Sequence, residues 1–400
     1  MFDRNFIVLE LANILAGPVT TMAFAELGAR VIKLENPNTR GDATRGWKLV
    51  GEPAETDVSG YFSCANWGKE SLAVDFTCPA GRELVHALAR HADIVVASFK
   101  PGDEVKLGLD YATLAALNPR LIYGQVTAYG PEDPRPGFDA ILQAEAGFTY
   151  LNGEPDGAPT KMPVALIDLL LAHQLKEGLL LALLKRERSG QGSHVTTSLL
   201  EAGVASLANQ ATNYLVGGVV PRRMGSEHPN IVPYGSILAC ADGREVVIAA
   251  ATERQYRELV RAMDLPELAD DPAFATGQQR VEHREQLLDR IRARAAELPS
   301  SEFAGRLERA KVPFGFVNDM AAVFAQAGAQ RLLLQGEVDG RPLRGVRTLA
   351  IGGDAAELVE PGPPPHFDQH RDAVLGELLG HDATAVAALA AAGAFGRTAP

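Results

Sequence analysis

One carboxylate in this chain sits where its surroundings do not favour a charge. From Pro163 to Leu184 the sequence is almost wholly apolar and long enough for about five to six turns of helix. On a helix, residues three, four, seven and eleven positions apart share a face. Counted from Asp168, those positions are Leu171, Ala172, Leu175 and Leu179, while His173, Gln174, Lys176 and Glu177 point elsewhere. Asp168 therefore lies on the face that should be buried. A buried, unpaired carboxylate costs several kcal/mol or gives up its charge. Three readings account for it: a helix N-cap, since the apolar run begins just after it, a buried hydrogen-bonded aspartate, or a reactive group.

Other chemistries find little support. The first βα turn lacks the Gly-x-Gly-x-x-Gly spacing of a dinucleotide site, and no Gly-Lys-Ser/Thr phosphate loop occurs. Cys64, Cys78 and Cys240 are few, odd in number and far apart, so neither a metal site nor a disulfide framework is expected. This cysteine usage fits a reducing cytoplasm. The net charge of −12 argues against a non-specific nucleic-acid or membrane-surface binder. It leaves room for an anionic ligand on a local basic patch. The first residues contain an acid at position 3 and no long apolar run, unlike a signal peptide. The most apolar segment carries Asp168, Lys176 and Glu177, which argues against a membrane span.

The elements that must position Asp168 read as α/β. With 400 residues, 46% hydrophobic and 22% charged, the chain suits two domains or one large domain with an insertion. Strands are expected at 6–11, 30–34, 71–75, 93–97 and 121–125. Helices are expected at 19–27, 79–91 and 111–117 between them. This alternation predicts a Rossmann-like parallel sheet with helices on both faces. Two long helices follow, at about 163–186 and 198–214. The Gly217-Gly218 pair and Pro221-Arg222-Arg223 read as a hinge. A strand at 245–249 and helices at 253–263, 280–297 and 301–310 suggest a small inserted α+β domain over 225–325. The large domain then comprises 1–220 plus 330–400. Short strands are expected from Gly336, an extended proline linker at 361–365, and helices at 371–379 and 383–393.

Blocks spread along the chain resemble the family III CoA-transferases, the group of formyl-CoA transferase and the carnitine CoA-transferases. Val8–Leu11, Leu15–Pro18 and Glu26–Glu35 are similar to the family's opening, and Gly41–Trp47 to the loop after the second strand. Lys69, Ser71 and Asp75 match the third strand, with Glu70 where an arginine is usual. Phe99–Gly102, Leu107-Gly108, Asn118–Tyr123, Gly190–Gly192 and Ser198–Ala202 follow in order. His370 and Val374–Gly380 are similar to the closing helix.

The resemblance implies that Asp168 is the nucleophile. An acyl-CoA donor would acylate it to a mixed anhydride, releasing CoA thiolate. The thiolate would then convert the anhydride to an aspartyl-CoA thioester, and an acceptor acid would reverse the steps. No metal and no permanently bound cofactor is implied, because the coenzyme A thioester is itself the substrate. Arg40, Lys69, Lys100 and Lys106, with the turn at Leu15 and Ala16, are the implied CoA contacts. Ala97-Ser98 and Lys106 depart from the common Glu-Asn and Arg. Arg45, Trp47, Tyr61, Phe138, His228 and Tyr234 are the implied substrate-pocket residues. A missing glycine-run loop, and Leu15 in place of glutamine, argue against formyl or oxalyl substrates. Succinyl-CoA as donor and a C4–C5 dicarboxylate as acceptor are expected, with Arg45 and His228 as candidates for the second carboxylate.

The α-methylacyl-CoA racemases share the pattern but pair this aspartate with a histidine in a Gly-His-Asp run. Here the run is Gly137-Phe138-Asp139, and phenylalanine carries no proton. A non-catalytic CoA-binding protein is the other alternative, and the retained Asp168 speaks against it. The resemblance also implies an interlocked homodimer acting on small molecules, without nucleic acid or membrane.

Overall fold

The structure is a computed structural model that describes residues 1–396. Along the chain run β1 (Ile7–Leu11), α1 (Ala16–Glu26), β2 (Arg30–Glu35), α2 (Gly60–Ser63), β3 (Lys69–Ala73), α3 (Pro79–Ala89) and β4 (Ile94–Ala97). Next come α4 (Asp103–Leu107), α5 (Tyr111–Leu117), β5 (Ile122–Thr127), α6 (Asp139–Glu145), α7 (Phe148–Leu151), α8 (Leu166–Ser189), β6 (Ser193–Ser198) and α9 (Leu199–Ala205). Then follow α10 (Ala208–Leu215), β7 (Tyr234–Ala239), β8 (Glu245–Ala249), α11 (Glu253–Ala262), α12 (Gly277–Glu282), α13 (Arg284–Ala295), α14 (Ser300–Ala310) and β9 (Phe314–Phe316). The last are α15 (Met320–Ala325), α16 (Ala327–Gln330), β10 (Leu333–Val338), β11 (Arg341–Val346), α17 (Arg371–Leu379) and α18 (Ala383–Ala391).

Two compact units divide the chain. Among the described residues the first comprises 1–146, 163–207 and 331–396, and the second 147–162 and 208–330. Residues 147–162 and 208–220, placed with the large domain by sequence pattern, belong to the second unit. The single helix expected over 198–214 is two helices. The chain turns at Ser206-Leu207, and Ala208 takes a positive φ of 47°.

The first unit is built on a six-stranded parallel sheet of order β3-β2-β1-β4-β5-β6. Every residue of β1 to β5 is buried, as expected where helices cover both faces. On one face, Leu84, Val85 and Leu88 of α3, Leu114 of α5 and Val374 and Leu375 of α17 pack on the sheet. On the other, α8 crosses β5 so closely that a Cβ at Gly124 would lie 3.1 Å from Leu175 and 3.2 Å from Leu179. The β6 strand, Ser-His-Val-Thr-Thr-Ser, is a half-exposed edge, so no apolar run announces it. The β10–β11 hairpin is antiparallel. Among the described residues no single helix is long and apolar enough to cross a membrane.

The second unit holds an antiparallel sheet of order β7-β8-β9. Its core gathers Leu238, Val246, Ile248, Tyr256, Leu259, Leu287, Ile291, Phe303 and Leu307.

Candidate active site

Asp168 is not the helix cap. The α8 helix begins at Leu166, so Asp168 lies in its first turn, and Ala165 at the cap position offers no side-chain acceptor. The expected face is buried as a unit: Asp168, Leu171, Ala172, Leu175 and Leu179. Asp168 is 8% exposed. It opens on a crevice of about 300 Å³ above the C-terminal ends of β1, β4 and β5. Strand order reverses direction at β1 and β4, and open α/β sheets bind ligands at such switch points.

The crevice walls are short loops. Asn13 to Gly17 leave β1 and start α1. Ser98 to Pro101 leave β4, Val126 to Ala128 end β5, and Arg135 to Phe138 lead into α6. The amides of Ala16 and Gly17 open α1, where no preceding helical turn supplies carbonyl partners. Gly17 is required by close approach, since a Cβ there would meet Ala12 Cβ at 2.4 Å.

Burial raises the Asp168 pKa first and the neighbouring Asp139 charge second, to about 7, with no cation among the described residues offsetting them. Asp168 is therefore a carboxyl whose charge is lost more readily than that of an exposed aspartate. Asp168 in turn acts on Tyr61, whose phenol is pushed up to about 12 by burial, then by Cys64, Asp168, Asp139 and Asp42. Trp47 meets Tyr61 edge to face at 5.0 Å.

A buried charge network supports the β1–α1 turn. Lys33 Nζ donates to Glu10 Oε1 at 2.6 Å and Ala12 O at 3.0 Å, and pairs with Asp42 Oδ2 at 2.9 Å. Lys69 Nζ donates to Glu10 Oε2 at 2.6 Å, Pro18 O at 2.9 Å and Asn66 Oδ1 at 2.9 Å. Burial alone would raise Glu10, but the two ammonium groups outweigh it and hold the carboxyl below its usual range. Burial pulls Lys69 down to about 8, Glu10 resisting. Asp42 is held at about 2, because Lys33 and the Thr44 amide and hydroxyl outweigh its burial. Asp42 Oδ2 accepts the amide of Ile14 at 3.0 Å. Ile14 has φ of 73°, a costly conformation for a β-branched residue. The network thus holds the crevice wall in a backbone shape it would not adopt unaided.

The predicted site residues divide accordingly. Leu15, Ala16, Lys100 and Phe138 line the crevice with Asp168. Lys69 and Arg45 do not present free cations. Lys69 is spent on Glu10 and two further acceptors. Arg45 grips Glu35 through Nε at 3.0 Å and Nη2 at 2.6 Å and lies 3.8 Å over the Phe62 ring. Both expected ligand contacts are replaced by structural ones, because Glu10 and Glu35 from other strands reach them first. Arg40 is exposed, and Lys106 is exposed and paired with Asp103 at 2.7 Å. His228 and Tyr234 belong to the second unit, where their rings meet edge to face at 5.2 Å. Glu70, in place of the family's arginine, binds Arg30 at 2.8 Å and Arg4 at 2.6 Å.

Arg135 and Asp139 were not among the expected residues. Arg135 lines the crevice while paired with Asp133 at 2.8 Å and stacked 3.8 Å over Tyr129. A larger cavity of about 850 Å³ lies elsewhere in the first unit, lined by four acidic residues, Glu52, Glu55, Asp57 and Asp339, against Arg341 and His366. Its acidic wall would repel the phosphates of CoA, and Asp168 is not in it.

The model of "CoA-transferase family III" matches residues 4–371. Over 381 residues the chain is 37% identical to a succinate–glutarate CoA-transferase of Agrobacterium fabrum, spanning 93% of this chain and 94% of that one. It is 34% identical to a succinyl-CoA:mesaconate CoA-transferase of Haloarcula hispanica, spanning 92% and 94%. The crystal structure of a CAIB/BAIF family protein from Brucella suis superposes with a TM-score of 0.79 at 37% identity, covering 93% of this chain and 98% of that one. The chain belongs to CoA-transferase family III and is an acyl-CoA:carboxylate CoA-transferase.

Proposed function

We propose that this enzyme moves CoA from succinyl-CoA to a C4–C5 dicarboxylate through an aspartyl-CoA thioester on Asp168. The observation that carries the reading is the carboxylate itself, buried without an ion-pair partner among the described residues, in a crevice at the switch point of the sheet. Oxygen of Asp168 attacks the thioester carbonyl carbon, the C–S bond breaks, and CoA thiolate leaves behind a mixed anhydride. The thiolate then attacks the Asp168 carbonyl carbon, releasing succinate and forming the thioester. The acceptor carboxylate attacks that thioester, the thiolate leaves again, and its return to the acceptor carbonyl regenerates Asp168. One thioester and one free acid enter, one thioester and one free acid leave, and Asp168 is regenerated as a carboxylate, so no proton is consumed. The first-turn amides of Ala16 and Gly17 are suited to the oxyanions of these steps. Lys100 and Arg40 are the exposed cations left for the phosphates.

The dicarboxylate pair is supported by relatives named for succinate with glutarate and with mesaconate. With purified enzyme and succinyl-CoA, new acyl-CoA should form with glutarate, mesaconate, itaconate or malate and be visible by chromatography. Turnover with none of them would sink the substrate assignment. The working form is a homodimer. The exposed apolar run Leu215, Val216, Val219 and Val220 supports this, since monomers rarely leave such a patch uncovered. Light scattering should report two chains per particle, and a single-chain mass would end this part of the reading.

A further inference from the structure

We infer that Asp139 is a positioning residue that caps the nucleophile's helix from outside and sets a second carboxylate beside it, favouring the acylated enzyme. This rests on Asp168 being the nucleophile. The α8 helix has no side-chain cap of its own. Asp139, from the first turn of α6, supplies one. Its Oδ1 accepts the amide of Ile167 at 2.8 Å, the second helical position of α8. Its Oδ2 accepts from Gln143 Nε2 at 2.7 Å, and the same nitrogen donates to Val164 O at 3.2 Å. Two residues of α6 thus clamp the start of α8. The loop before them has no slack, since a Cβ at Gly137 would meet Ala128 Cβ and Leu142 Cδ2 at 2.7 Å each.

The capped residue Ile167 directly precedes Asp168. Both carboxylates are at least nine-tenths buried. A capping carboxylate at this place stabilises the helix end and opposes ionisation of its neighbour at once. In the mixed anhydride and in the thioester Asp168 is neutral. The repulsion therefore weighs on free enzyme and is relieved on acylation.

The other charged groups near Asp168 do not cancel this effect. From α2 comes the phenol of Tyr61, which is neutral in the working range. Lys100 and Arg135 line the crevice, and Arg135 is bound to Asp133. From α9, Glu201 is turned to Ser198 Oγ at 2.7 Å. From β6, His194 is bound to Gln125 Oε1 of β5 at 2.9 Å. On α8 itself His173, Lys176 and Glu177 face away from the buried stripe. The first turns of α1 bring no charge.

Asp139→Asn keeps an oxygen for Ile167 and removes the charge. In the wild type, kcat/KM for succinyl-CoA should fall about tenfold per pH unit below about 7, as the nucleophile is protonated. In D139N that limb should move down by about half a unit or more. The fraction of enzyme trapped as thioester at saturating succinyl-CoA should drop severalfold. A cap that only stabilised the fold would lower the denaturation midpoint and leave the limb in place. Superimposed limbs would overturn the proposal, and if D139N does not fold, Asp139→Ser, which also offers an oxygen to Ile167 and carries no charge, is put to the same test: a limb moved down upholds the proposal and an unmoved one overturns it. If wild type forms no adduct at Asp168, the functional reading fails instead; an adduct with an unmoved limb defeats Asp139 alone.

Discussion

Replacing Asp168 by alanine is expected to lower CoA transfer by more than about a thousandfold, because the proposed route loses the carboxyl group on which both covalent intermediates form. The same loss should come with a gain in stability. Burial, and then the Asp139 charge, push the Asp168 carboxyl in the folded state up to about 7, above the ordinary aspartate value of 3.8. Between those values the native state binds more protons than the unfolded chain, so stability falls as pH rises through that window. Above pH 7 the full penalty is present. Asp168→Asn, which cannot ionise, should therefore be more stable than wild type by roughly 2–4 kcal/mol at pH 8 and about equal to it at pH 4. Urea unfolding at the two pH values checks this. A destabilised D168N at pH 8 would mean that the carboxylate is a structural anchor.

The second large effect is expected at Glu10, which touches no substrate. Glu10→Gln leaves the buried ammonium groups of Lys33 and Lys69 facing one another without their shared carboxylate. Breaking a buried ion network from one side costs about 3–5 kcal/mol, because a desolvated charge is left uncompensated. Lys69, already pulled down to about 8 in the folded state, would be pulled lower. A lysine with a depressed folded pKa costs stability below that pKa and stops costing it as pH rises toward 10.5. The E10Q deficit should accordingly shrink as pH rises toward about 8, where Lys69 of the wild type gives up its proton as well. Activity should also suffer, since Lys33 holds Asp42 and Asp42 holds the Ile14 amide in the crevice wall. A deficit below about 1 kcal/mol at pH 7 would contradict the role given to this network.

Much of this was legible in the chain before any coordinates. The stripe Asp168, Leu171, Ala172, Leu175 and Leu179 is a local property of helical spacing, and it is buried as that spacing requires. The first five strands are fully buried and begin within two residues of where the sequence places them, although Lys33, Glu35, Lys69 and Glu70 interrupt the apolar pattern of β2 and β3. Properties set by distant partners were not legible. Lys69 and Arg45 read as available cations, yet their places depend on Glu10 and Glu35, which local pattern does not connect to them. Asp139 carried no signal of its own, because its partner Ile167 lies 28 residues further on. The break after α9 depends on Ala208 adopting a left-handed backbone, which alanine does not advertise. The edge strand β6 is half exposed and polar and lacks the apolar signature of its neighbours.

The most direct test of the central claim is to trap the covalent enzyme. Wild type incubated with succinyl-CoA and hydroxylamine, then digested and sequenced by mass spectrometry, should carry a hydroxamate on Asp168 alone. The adduct should be absent from D168A and from enzyme given free CoA in place of the thioester. An enzyme that transfers CoA while Asp168 stays unmodified, or that carries the adduct on another residue, would contradict the account.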